Sequence, residues 1–80
     1  MPDAGVPAVV ADIVADVLGY DEVEAGESLL DLGLDSLAAA RIAARLRQVL
    51  GVDLPLRAVF AHRTVGDLAA TVAELSSATA

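Results

Sequence analysis

Eighty residues and 8.1 kDa make one small domain with one core, since a chain of this size buries only about 60–68% of its unfolded surface. No cysteine and a single histidine, His62, exclude disulfides, a thiolate nucleophile, cysteine zinc sites and a histidine pair for a metal. A formal charge of −7, with nine acids and no base in residues 1–40 against five arginines and three acids in residues 41–80, repels phosphate backbones and anionic lipid, so neither nucleic acid nor membrane is expected as a partner. No cationic segment precedes an apolar run near Met1, and no apolar stretch approaches the roughly 18–20 residues of a membrane span. A cytoplasmic protein is expected.

Val10, Ile13, Val14, Val17 and Leu18 recur at i, i+3, i+4, i+7 and i+8, the stripe of an amphipathic helix, and Pro7 suits its first turn. The spacing predicts helix one over 6–18, stopped by Gly19 in a left-handed cap, with Tyr20 available to fold back as the accompanying apolar contact. From Gly19 to Asp35 no helical or strand period persists. Yet Val23, Leu29, Leu30, Leu32 and Leu34 make this long connection too apolar for a solvated linker, and ordered loops of such length are more often functional than incidental. A short helical turn fits around Ser28 to Asp31.

Helix two is expected over 36–50, with Asp35 as N-cap, arginines toward its C-terminal half and Gly51 closing it. At about 100° per residue, Leu46, Ile42, Val49, Leu50 and Ala39 share the core-facing arc. Leu37 points the opposite way, beside Ala40, Arg41 and Ala44, and Ser36 stands on the flank. Residues 51–55 read as a turn, and Pro55 opens a short helix three over 56–61 carrying Leu56, Val59 and Phe60. Thr64 to Asp67 matches a capping box ahead of helix four over 65–75, with Val65, Leu68, Ala69, Val72 and Leu75 on its apolar face; 76–80 should fray. The fold class is all-α: a four-helix bundle with a short third helix and a long loop between helices one and two. Leu46, Ile42, Val49, Val14, Leu68 and Phe60 are expected in its core.

Ser36 is the first chemical candidate, a hydroxyl at a helix mouth beside a long loop. Serine and aspartate at such a position usually cap the helix. Leu37 adds an outward apolar side chain next to that serine, with about 1.5–3 kcal/mol of burial available to a docking partner. A triad of Ser36, His62 and an aspartate can be written down, but nothing supplies a strained nucleophile elbow, and so small a bundle has little interior for a substrate pocket and an oxyanion hole. No catalytic residue is assigned, and His62 reads as a polar loop residue. The carboxylates of Asp21, Glu22, Glu24 and Glu27 lack calcium-loop spacing, and no phosphate-cradling glycine pattern occurs, so no metal is expected.

The run Asp31-Leu32-Gly33-Leu34-Asp35-Ser36-Leu37 resembles the modification motif of acyl and peptidyl carrier proteins. The resemblance extends along nearly the whole chain, through Leu54-Pro55-Leu56-Arg57-Ala58-Val59-Phe60 and Thr64-Val65. It implies that Ser36 receives 4′-phosphopantetheine from coenzyme A, and that the arm's thiol carries acyl groups which a cysteine-free protein cannot hold itself. Asp35 would then flank the site and engage the phosphopantetheinyl transferase. Leu34, Leu37, Ala40, Arg41 and Ala44 would form the surface that partner enzymes recognise.

Two subtypes are mixed in these marks. Gly-Leu-Asp-Ser-Leu at 33–37 is similar to polyketide and fatty-acid acyl carriers, whereas peptidyl carriers usually have a second glycine where Leu34 stands. The stretch from Leu54 to Phe60, the arginines at 41, 45 and 47 and the Phe60-to-Thr64 spacing are similar to the peptidyl type, while Arg63 stands where proline is common in both. The expectation is a discrete, monomeric, non-enzymatic peptidyl carrier of nonribosomal peptide synthesis, served by an adenylating enzyme and downstream biosynthetic enzymes. A polyketide-type acyl carrier is the alternative within the class, and an unmodified helical interaction module, with Ser36 only a cap, the alternative outside it.

Overall fold

The computed structural model describes residues 5–78. Four helices follow one another: α1 (Gly5–Leu18), α2 (Ser36–Leu50), α3 (Leu56–Phe60) and α4 (Val65–Ala78). α1 packs on α4 and α2, and α2 packs on α3. Among the described residues there is no strand, only one antiparallel bridge between Ser28 and Thr64.

The helix ends follow the local chemistry. At the end of α1 the chain turns at Gly19, φ 88°, and the N–H groups of Gly19 and Tyr20 both donate to the Ala15 carbonyl at 2.8 Å. α2 closes at Gly51, whose φ of 68° lies in the left-handed region that costs a side chain about 1–2 kcal/mol. Pro55 caps α3 in extended conformation, and the helix ends one residue before the expected 61. The Thr64 hydroxyl accepts the Asp67 N–H at 3.1 Å, the forward half of the expected box. α4 continues to Ala78 instead of stopping at Leu75; of the expected tail, residues 79–80 lie outside the described residues.

The core joins Val10, Ile13 and Val14 of α1 to Ala39, Ile42 and Leu46 of α2, Val59 of α3, and Val65, Leu68 and Val72 of α4. The connections contribute as well: Leu29, Leu32, Leu34, Val52 and Leu54 are all buried. The long loop is therefore part of the packed unit. Its first half is laced to the start of α4 by three backbone bonds, Gly66 N–H to Ala25 O at 2.8 Å, Val65 N–H to Glu27 O at 3.1 Å and Leu29 N–H to Arg63 O at 2.9 Å. Arg63, in the place where a proline is common, supplies a backbone carbonyl, which any residue can do. The second half makes the helical turn expected after Ser28, closed by Leu32 N–H to Ser28 O at 3.0 Å and Leu34 N–H to Leu29 O at 3.0 Å.

Several side chains depart from the sequence expectation. Leu34, expected at the partner surface, is only 7% exposed, because the turn closed by its own N–H brings it into the core beside Leu29 and Leu32. Leu30, one of the apolar residues expected to pack, stands 70% exposed, about 100° round the helical turn from the buried Leu29. Val49, expected in the core, is 52% exposed at the edge of the α2 arc, where it lines an open groove against Val9 and Asp12 of α1. Phe60 is 40% exposed. α3 is little more than one turn long and buries Val59, so the next residue points about 100° away. Leu75 is exposed on the last turns of α4, and Tyr20 is held by a polar contact, its hydroxyl donating to the Leu32 carbonyl at 3.0 Å.

Candidate functional site

The loop enters α2 through Asp35, which is extended at φ −136°, ψ −176°. Its carboxylate Oδ1 accepts the Ala38 N–H at 2.8 Å, and its carbonyl accepts the Ala39 N–H at 2.8 Å. Asp35 is thus the expected N-cap. Ser36, the first residue of the helix, is exposed. The N–H groups of Ser36 and Leu37 belong to the first turn, where a helix offers no internal acceptor, and with the positive end of the α2 dipole they favour an anion on the serine oxygen. An esterified phosphate therefore fits this position, although the charge of Asp35 opposes it.

Of the five residues expected at the partner surface, four are exposed and Leu34 is not. Leu37 is 61% exposed, and Ala40, Arg41 and Ala44 are exposed on the same side of α2, while Leu34 lies beneath them. An open groove of about 310 Å³ runs beside Asp35 between Leu18, Leu32, Gly33, Leu37 and Arg41. Arg41 has no ion pair among the described residues, whereas Arg45 binds Asp16 at 2.8 Å and Arg47 approaches Asp53 at 3.9 Å.

Besides Val49 and Leu75, sequence reasoning missed the exposure of three further apolar residues. Leu56 and Phe60, each 40% exposed, line an apolar groove of about 590 Å³ with Pro55 and Arg57 on α3. Their i, i+4 spacing was the available signal, because it sets both on one face of a helix whose Val59 must face in. Leu30 is the third, and nothing in an aperiodic segment distinguishes it from Leu29.

His62 is not placed to activate a serine. Its Nδ1 lies 2.8 Å from the Ala58 carbonyl and its Nε2 2.8 Å from the Thr71 hydroxyl. Since a carbonyl only accepts, Nδ1 holds a proton and the ring ties α3 to α4. No group of three or more potential metal ligands occurs among the described residues, and no helix among them is long and apolar enough to cross a membrane.

Comparison with known proteins agrees with this geometry. The chain is 44% identical over 66 residues to the probable nonribosomal peptide synthetase CymA of Salinispora arenicola, a stretch covering 82% of this chain and 1% of that protein. It is 41% identical over 75 residues, 91% of its length, to the polyketide synthase ThaG of Burkholderia thailandensis, again 1% of the relative. The chain thus spans a very small part of both. Among solved structures, the peptidyl carrier protein in complex with the phosphopantetheine transferase Sfp and coenzyme A matches with a TM-score of 0.79 and 31% identity, over 88% of this chain and 91% of that one. The family model for the phosphopantetheine attachment site matches residues 8–72. That match runs from the first turns of α1 to the buried Val72 of α4, so the likeness is to the whole packed unit and not to a short motif, and the chain belongs to the phosphopantetheine attachment-site family.

Proposed function

We infer that this protein is a peptidyl carrier whose Ser36 hydroxyl oxygen forms the phosphodiester to 4′-phosphopantetheine. The observation that supports this most is the exposure of Ser36 on the first turn of α2, capped from behind by Asp35 and followed at once by the outward Leu37. When bound, the arm supplies the thiol on which aminoacyl or peptidyl groups are held as thioesters. The chain's own residues do no bond chemistry in this reading. Asp35 orders the helix mouth and meets the phosphopantetheinyl transferase. Leu37, Ala40, Arg41 and Ala44 form the docking surface for an adenylating enzyme and for the enzymes downstream. Tethering then replaces diffusion by a high effective concentration at each active site. The reading makes the protein a non-catalytic carrier working in the cytoplasm, where coenzyme A is drawn upon.

The nonribosomal assignment is supported by the likeness to CymA and by the peptidyl carrier bound to Sfp. A polyketide-type acyl carrier is the second reading, favoured by the likeness to ThaG over 91% of the chain and by Leu34 in the motif. Incubation with coenzyme A and a promiscuous phosphopantetheinyl transferase, followed by intact-mass measurement, tests attachment. A gain of one phosphopantetheine, absent in Ser36→Ala, is expected. No gain, with the fold intact, assigns the chain instead to unmodified interaction modules. Loading of the modified chain by an adenylating enzyme, against acylation by an acyltransferase, separates the two carrier readings.

A further inference from the structure

The surface between α1 and α2 holds an open groove of about 500 Å³ that the Ser36 site does not use. Its apolar part includes Val49 and Tyr20, 52% and 43% exposed, together with Val9. Its rim carries the exposed carboxylates of Asp12, Asp16 and Asp21. Among the described residues the one cation lining it, Arg45, is paired with Asp16 at 2.8 Å, so the Asp12 and Asp21 carboxylates stay uncompensated within the groove. The Tyr20 ring is fixed by its hydroxyl bond to the Leu32 carbonyl, and an aromatic already held in place loses little freedom when a partner covers it. Arg45 and Val49 follow Ser36 by nine and thirteen residues, about 13–20 Å along the helix and on its opposite side. Both surfaces can therefore be occupied together.

We propose that this groove is a second docking surface, for a cationic amphipathic segment of a partner protein. An arginine or lysine of that segment lies over the Tyr20 ring, drawn there by the uncompensated Asp12 and Asp21 carboxylates, so that ring quadrupole and charge attract it jointly. An aliphatic residue of the same segment covers Val9 and Val49. Charge complementarity selects the partner's sign, because an acidic segment would meet like charge. A partner bound here holds the carrier without touching the Ser36 face. The proposal does not require Ser36 to be modified, so it can fail while the carrier reading stands, and the reverse.

The test is an NMR titration of the isotope-labelled full chain with a synthetic amphipathic peptide of leucine and arginine. Saturable shifts are expected at Val9, Asp12, Tyr20 and Val49, with none at Leu37, Ala40 or Phe60. Asp12→Asn and Val49→Ser, both at exposed positions, should each weaken binding about tenfold, while Asp67→Asn on α4, the same change in net charge, leaves it within about twofold. Circular dichroism confirms that each variant keeps its helix content. Four results overturn the proposal: shifts confined to the Leu37 or Leu56–Phe60 surfaces, an equal loss in Asp67→Asn, absence of saturable binding, or concentration-dependent shifts at the groove without peptide, which would mean that a second copy fills it.

Discussion

At Asp35 two roles fall on one carboxylate, and they can be separated by substitution. The hydrogen bond to the Ala38 N–H caps α2, so Asp35→Ala should lower stability by about 0.5–2 kcal/mol in urea unfolding. Asp35→Asn keeps an oxygen acceptor and removes the charge, and its unfolding midpoint should stay close to the parent's. If the asparagine variant is modified more slowly although it is equally stable, the transferase reads the charge; a normal rate in both variants removes Asp35 from transferase recognition. A second contrast lies on either side of the serine. Leu37 is outside the core, so Leu37→Asp should change stability by no more than about 0.5 kcal/mol while slowing loading by partner enzymes. Leu34 is inside it, so Leu34→Ala should cost about 2–5 kcal/mol. Unchanged loading by Leu37→Asp would take Leu37 out of the docking surface.

Among the elements, the connection between α1 and α2 is the one whose order has to be explained. It has no period, yet the start of α4 holds it through Ala25, Glu27 and Leu29. The approach is closest at Gly66, where an added Cβ would sit 3.0 Å from the Ala25 carbonyl oxygen and 3.1 Å from the Ala25 Cβ. Gly66→Ala should therefore push the loop off α4 and cost about 1–3 kcal/mol in thermal unfolding, with faster amide exchange at Leu29 and Val65. Legibility differed between elements for the same physical reason. α2 could be bounded to the residue because a capping aspartate and a left-handed glycine act locally. The α1 stripe was equally plain, since helical spacing over several turns leaves one solution for its core face. Leu34 could not be placed, because its direction depends on a turn closed by a bond to Leu29. Phe60 could not either, because a five-residue helix offers too short a pattern to orient. Val49 lies on the correct arc of α2, but whether anything covers that edge is decided by α1, not by α2's own sequence.

Over the whole molecule the charge is divided as the sequence is, with acids on α1 and the loop and arginines on α2, α3 and the turn before α4. Two surface ion pairs join described residues, Arg45 with Asp16 and Arg47 with Asp53, and exposed pairs of this kind contribute little. Self-repulsion of a chain with net charge −7 is therefore left mainly to solvent ions. Raising the ionic strength from very low salt to about 0.15 M should raise the thermal midpoint by a few degrees; a fall would show that the ion pairs, and not the repulsion, dominate.

Tyr20 is the sole tyrosine of a chain that contains no tryptophan, and its hydroxyl ties the end of α1 to the loop that leads into Ser36. Its intrinsic ultraviolet emission is consequently an optical probe already built into the protein, free of any competing indole. Quenching or shift of that emission reports on the joint between the first helix and the serine loop, and it can be followed in real time as the arm is attached or a partner arrives, with no dye or label introduced.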